Sequence, residues 1–156
     1  RLYPWKVSPA AYKAMRGLQD YVDQCGLEKS LIELLNIRAS QINGCAYCLV
    51  MHTTDARNLG ESDERMHLLS AWREAPCFTE RERAALAWIE AVTNITEGHV
   101  SDEVYEQVRK HFSENELVDL TMHAAAINSW NRFAITFRAI PKVTNVGAPA
   151  SLVGSA

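Results

Sequence analysis

The chain repeats one local feature, a helix start, along most of its length, and it offers no convincing strand pattern. Thr79 and Ser113 are each followed three residues later by glutamate, which is the pattern of a capping box at a helix N-terminus. Ser8 followed by Pro9 predicts a further helix start. Apolar residues then recur at helical spacing, for example Ala85, Leu86, Ile89 and Val92. These features predict an all-α fold, a compact bundle of six to seven helices.

Length and charge limit the class of protein further. The 156 residues predict one helical domain over 1–140 and a C-terminal tail over 141–156 that is small, polar and contains Gly and Pro. A net charge of −3 gives no basic surface for nucleic acid, and no apolar run approaches the roughly 20 residues of a membrane span. The first residues, "RLYPWKV", lack the apolar core of a signal peptide. We therefore expect a cytoplasmic protein that binds neither nucleic acid nor a membrane.

The stretch "GCAYCLVMH", from Gly44 to His52, carries the residues that could do chemistry. Gly44 interrupts the helical pattern, so a new helix is predicted to begin at or near Cys45. Cys45, Cys48 and His52 would then lie on one face of this helix. The positive end of the helix dipole favours a thiolate, and a histidine one turn away can accept the thiol proton. The same spacing permits a disulfide.

Glu33 lies twelve residues before Cys45, in the apolar stretch "LIELL" of the preceding predicted helix. A buried carboxylate needs a partner. If the two helices form an antiparallel hairpin around Asn43–Gly44, Glu33 would approach His52. The alternative interpretation is a solvated glutamate on an amphipathic helix.

Three kinds of site are compatible with these residues: a redox-active dithiol, a metal site, and cysteines with a structural role only. Zinc generally takes four ligands. Cys45, Cys48 and His52 supply three, and the nearest candidates for a fourth are Glu33 and Cys77. The residues alone leave these alternatives open.

A glutamate, eleven intervening residues, a CxxC and a histidine four residues later together resemble the AhpD-like branch of the carboxymuconolactone decarboxylase superfamily. The matching residues are Glu33, Cys45, Cys48 and His52, and the resemblance extends over roughly residues 25–140. It includes "ELVDLTMHAAAINSWNRFA", which is similar to the closing helix of the family's short members. One departure is Tyr47, because the well-studied peroxidase of this family has a second histidine inside its CxxC.

The resemblance implies an AhpD-like helical fold assembled as a homo-oligomer, commonly a trimer or hexamer. It also implies peroxidase or disulfide-reductase chemistry without a metal or flavin cofactor. Cys48 would attack a hydroperoxide, Cys45 would resolve the product as a disulfide, and Glu33 with His52 would relay the proton. The implied partners are a hydroperoxide or disulfide substrate and an external dithiol reductant. The rival hypothesis is a non-catalytic or metal-binding helical oligomer whose CxxC senses oxidants.

Four further residues invite an interpretation from sequence. His123 follows an apolar pattern and precedes three alanines, which favours a core histidine with its hydrogen bonds satisfied over a second catalytic histidine. Asn128 and Asn131 are polar residues in a helix that otherwise looks buried, so we expect them to line a pocket or a subunit contact. Trp5, in the N-terminal arm, suits packing on a neighbouring subunit.

Overall fold

The computed structural model describes residues 1–143. Over this range it contains helices and no strand, so the predicted all-α class is confirmed. There are eight α-helices and one 3-10 helix, Leu69–Ala71, in the described part. The α-helices are α1 (Pro4–Val7), α2 (Pro9–Gln24), α3 (Lys29–Asn43), α4 (Ala46–Asn58), α5 (Asp63–Leu68), α6 (Glu80–Thr93), α7 (Asp102–Arg109) and α8 (Glu114–Phe137).

The helix count exceeds the predicted six to seven. One reason is that the arm before Ser8, which shows no helical periodicity, also forms a single helical turn, α1, with Pro4 in its first turn. Residues 144–156, most of the predicted tail, lie outside the described residues. No helix within residues 1–143 is long and apolar enough to cross a membrane.

The predicted helix starts are where the sequence placed them. Both capping boxes form: the Thr79 side chain accepts the Glu82 backbone N–H, and the Ser113 side chain accepts the Glu116 backbone N–H. In each case the glutamate carboxylate accepts the N-cap backbone N–H in return. Helix α8 ends at Phe137, because Arg138 adopts a left-handed conformation (φ 55°) and caps it.

Helix α3 lies at the centre of the bundle and packs against α4, α6 and α8. Its apolar side carries Leu34, Leu35 and Ile37, each no more than 1% exposed. Because α3 is surrounded by other helices, polar groups on its faces must find partners inside the protein. Glu33 is one of these groups.

The N-terminal arm packs on its own chain. The Trp5 ring lies 5.2 Å from the Tyr12 ring, 5.6 Å from that of Trp130 and 4.8 Å from that of Phe133, measured between centroids. Trp5 therefore takes part in an aromatic cluster that joins α1 to α2 and α8, and its packing on a neighbouring subunit stays a prediction. The pattern of the sequence did not show this long-range contact.

Candidate active site

The turn between α3 and α4 sets the position of the two cysteines. Gly44 ends α3 in a left-handed conformation with φ 69°, which glycine adopts without the strain that a Cβ would bring. The Cys45 backbone N–H then donates to the Ser40 carbonyl at 2.9 Å, closing the turn. Cys45 becomes the N-cap of α4, and its Sγ accepts the Cys48 backbone N–H at 3.3 Å. The dithiol therefore sits at the N-terminus of a helix.

Cys45 and Cys48 are joined by a disulfide, with their Cα atoms 5.4 Å apart. This Cα separation is within the range that disulfides normally span. The two residues are 1% and 2% exposed, so the bond is almost fully enclosed by protein. The pair that the sequence singled out is thus brought together in its oxidised form.

Glu33 and His52 meet across the α3–α4 hairpin. His52 Nδ1 lies 2.8 Å from Glu33 Oε2, and the two side chains are only 12% and 15% exposed. Asn36 adds a weaker hydrogen bond from its amide to the same carboxylate oxygen at 3.4 Å. When Nδ1–H donates to Glu33, the Nε2 atom of His52 is the nitrogen able to accept a proton. His52 follows Cys48 by one helical turn, which places their Cβ atoms about 5–6 Å apart.

A network of amide side chains fastens this turn to α8. The Asn43 amide donates to Asn128 Oδ1 at 2.9 Å and to Asn131 Oδ1 at 2.8 Å. The Asn131 amide donates in turn to Ser40 Oγ at 3.1 Å, and both of these residues are fully buried. Sequence reasoning expected Asn128 and Asn131 at a pocket or a subunit contact. Within the chain both residues hold the end of α3 just before the first cysteine, and Asn131 is fully buried there, while a subunit contact at Asn128 stays a prediction.

His123 lies on α8 and is 1% exposed. Neither of its ring nitrogens has a hydrogen-bond partner among the described residues. Burial lowers the pKa of the imidazole to about 3, and the nearby His52 contributes to this shift. The prediction of a core histidine is right about burial and wrong about satisfied hydrogen bonds.

Within residues 1–143 the structure does not bring together the four ligands that a zinc site would need. The ligand atoms that come within 4.8 Å of one another in the described chain belong to Glu33, His52 and Asp55, of which Asp55 is exposed. Cys45 and Cys48 are bonded to each other and supply no thiolate in this state. Cys77, the other sequence candidate, is half-buried and packs against the hydrophobic core.

Residues 9–91 match the sequence profile of the carboxymuconolactone decarboxylase family. The chain belongs to this family. An uncharacterised relative, YdfG of Bacillus subtilis, is 41% identical over 135 residues, which are 86% of this chain and 92% of that protein. YnjA of Escherichia coli, also uncharacterised, is 26% identical over 69% of this chain and 58% of its own length.

Two solved structures are similar to this chain. A protein of unknown function from Agrobacterium tumefaciens, described as a candidate antioxidant defence protein AhpD, is 46% identical with a TM-score of 0.90, covering 92% of this chain and 99% of that one. An AhpD-core, peroxidase-related protein from Ralstonia eutropha shares the fold at 23% identity, with a TM-score of 0.74 over 85% of this chain and 71% of that one. The resemblance to the AhpD-like branch is thereby confirmed.

Proposed function

We propose that this family member is a thiol-dependent peroxidase or disulfide oxidoreductase that turns over through Cys45 and Cys48. The observation that carries the proposal is the enclosed disulfide at the start of α4 with a Glu33–His52 hydrogen bond one turn further on. A dithiol, a base and an orienting carboxylate are the groups that this chemistry requires. No step of the proposed cycle uses a metal or a flavin.

The oxidising half-reaction begins with the reduced pair. His52 Nε2 takes the Cys48 thiol proton, while Glu33 holds the opposite nitrogen and stabilises the imidazolium that forms. The Cys48 thiolate attacks the distal oxygen of a hydroperoxide, the O–O bond breaks, and the proton on His52 passes to the departing alkoxide. One hydroperoxide and one thiol thus become an alcohol and a sulfenic acid.

Cys45 then closes the cycle. Its thiolate attacks the Cys48 sulfur, the S–O bond breaks, and the departing hydroxide takes up the proton that the Cys45 thiol released, giving water. The 5.4 Å separation of the Cα atoms lets this bond form without rearranging the helix start. An external dithiol reduces the disulfide by thiol exchange and is itself oxidised. A disulfide substrate would be reduced by the same exchange run in reverse.

The test is a single-turnover reaction of reduced protein with hydrogen peroxide and with an alkyl hydroperoxide, followed by stopped flow, with thiols counted before and after. We expect two of the four thiols to be lost and both reactions to be abolished in Cys48→Ser. Cys77→Ser is the matched control, because it removes a cysteine outside the pair and should leave the rate unchanged. Reduced cysteines that stay unreacted with both peroxides would refute the peroxidase proposal.

A second candidate is a metal-binding or oxidant-sensing role without turnover. The cluster of Glu33, His52 and Asp55 favours it, since three ligand atoms already lie close together. A purified protein that carries stoichiometric zinc or iron, and loses it in His52→Ala, would support this candidate over the peroxidase. Our proposal also includes the homo-oligomer, a trimer or hexamer, that the family resemblance implies. Light scattering measures its mass directly.

A further inference from the structure

The proposed cycle gives no role to His123 of α8, although this histidine is buried close to His52 of the site. Its ring is buried and both nitrogens lack a partner within residues 1–143. Buried polar side chains are nearly always hydrogen-bonded, because leaving them unpaired costs stability. An unpaired imidazole therefore points to a ligand that arrives during the reaction.

The position of His123 along the bundle follows from contacts at both ends of α3 and α8. At one end, the Arg81 guanidinium donates to Glu28, the N-cap of α3, and to Glu116 in the first turn of α8. At the other end, Asn131 of α8 donates to Ser40 in the last turn of α3. The two helices therefore run side by side in the same direction.

This register places His123 level with the Glu33–Asn36 turn of α3. His123 precedes Asn131 by eight residues, or about 12 Å of helix, and the same step back along α3 from Ser40 reaches Ile32, directly before that turn. His52 is bonded to Glu33 and so lies at this level too. His52 also contributes to the lowered pKa of His123, which agrees with the two histidines lying close together. Helix α8 also packs against α4, the helix that carries Cys48.

We propose that His123 is a further catalytic residue, whose imidazole donates an N–H hydrogen bond to the hydroperoxide oxygen that leaves as Cys48 is oxidised. This inference rests on the proposed peroxidase function. The leaving oxygen gains negative charge as the O–O bond breaks, and a preorganised donor at an enclosed site stabilises it. The proton that finally neutralises this oxygen comes from His52, so His123 ends the step in the state in which it began.

The burial of His123 suits this role. A ring that stays neutral keeps one N–H donor without adding a second positive charge beside the imidazolium of His52. It also keeps the two histidines distinct: His52, paired with a carboxylate, holds and moves the proton, while His123 only donates a hydrogen bond.

The experiment compares wild type with His123→Leu and His123→Gln in two assays. The first is the single-turnover rate of thiol oxidation by hydrogen peroxide. We expect His123→Leu to lower it by about 100-fold, the usual effect of removing one such donor, and His123→Gln to retain more of the rate because its amide still donates. The second assay is the denaturation midpoint of the oxidised protein, which we expect to be equal or higher in His123→Leu, since an unpaired buried group is removed. A merely structural histidine would not produce lower rate and higher stability together.

Two controls separate the possible failures. His67→Leu removes an exposed imidazole and should change neither assay. Reduction of the Cys45–Cys48 disulfide by dithiothreitol should also be unchanged in His123→Leu, because no peroxide oxygen takes part. A wild-type rate in His123→Leu, or equal losses of rate and stability in both His123 variants, would overturn the role of His123 alone. Wild-type thiols that do not react with peroxide would overturn the proposed function, and this role with it.

Discussion

We expect acid to lower the free energy of unfolding through His123, and we expect the substitution His123→Leu to remove this effect. Burial, with His52 nearby, lowers the pKa of His123 from an ordinary 6.5 to about 3. The unfolded chain therefore binds a proton at this residue below about pH 6.5, while the folded chain does not until about pH 3. Since the unfolded state binds more protons in this window, stability is fully present above it and falls as the pH is lowered through it.

The size of this stability loss follows from the interval between the pKa values of His123 in the unfolded and folded states. Each pH unit between the two pKa values costs about 1.4 kcal/mol, so the step from pH 6.5 down to pH 5.0 costs about 2 kcal/mol. The whole free energy of unfolding of a native domain is only about 5–15 kcal/mol, so this loss is easy to measure. In His123→Leu the residue binds no proton in either state, and this contribution disappears.

The assay is urea unfolding of the oxidised protein at pH 7.0 and pH 5.0, with stability extrapolated to water at each pH. We expect wild type to lose about 2 kcal/mol more between the two pH values than His123→Leu does. His67→Leu should lose as much as wild type, because folding does not bury that ring. Equal losses in wild type and His123→Leu would refute the reasoning, since they would mean that the folded protein accommodates a charged His123.

Three further predictions concern the site and its support. Glu33→Gln should slow thiol oxidation by hydroperoxide by about 100-fold, because the neutral amide cannot stabilise the charged histidine; stopped flow measures this, and a wild-type rate would contradict the relay. Asn131→Ala should destabilise the protein by about 2 kcal/mol or more in urea unfolding, since it leaves the buried Ser40 hydroxyl without its donor and opens a cavity. The pKa of Glu116 is lowered to about 2, and the largest cause is the hydrogen bond from the Ser113 backbone N–H. The contribution of ionised Glu116 to stability is therefore present above about pH 4.5 and is lost as the pH falls towards 2. In Glu116→Gln the stability curve should therefore be flatter over that acid range than in wild type.

The parts of the fold that the sequence predicted are those fixed by local signals. A capping box needs only residues three apart, so the starts of α6 and α8 could be placed from Thr79 and Ser113 alone. The α3–α4 hairpin follows from Gly44, which ends one helix and lets the next begin at Cys45. If α3 and α4 form this hairpin, helical geometry brings Glu33 close to His52, and the two side chains are hydrogen-bonded in the structure.

What the sequence could not show depends on how distant helices are aligned. Asn128 and Asn131 bind a residue more than eighty positions earlier, and nothing in their own helix indicates that partner. The unpaired state of His123 has the same origin, because the pattern around it predicts burial but not what faces the ring. The contacts of Trp5 with α8 also depend on how distant helices are aligned, so its own sequence context did not indicate them. A polar residue on an otherwise apolar face was the available signal in the first two cases.

The supports of the cysteine turn have a consequence for the proposed cycle. The Gly44 cap, the Cys45 N–H bond to Ser40 and the amide bonds from Asn43 to α8 involve neither sulfur atom. They therefore remain when the disulfide is reduced, and they keep the two thiols close together. A pair held by the fold rather than by its own covalent bond can open and close repeatedly at little conformational cost. Such an arrangement suits a disulfide that is formed and reduced in each cycle.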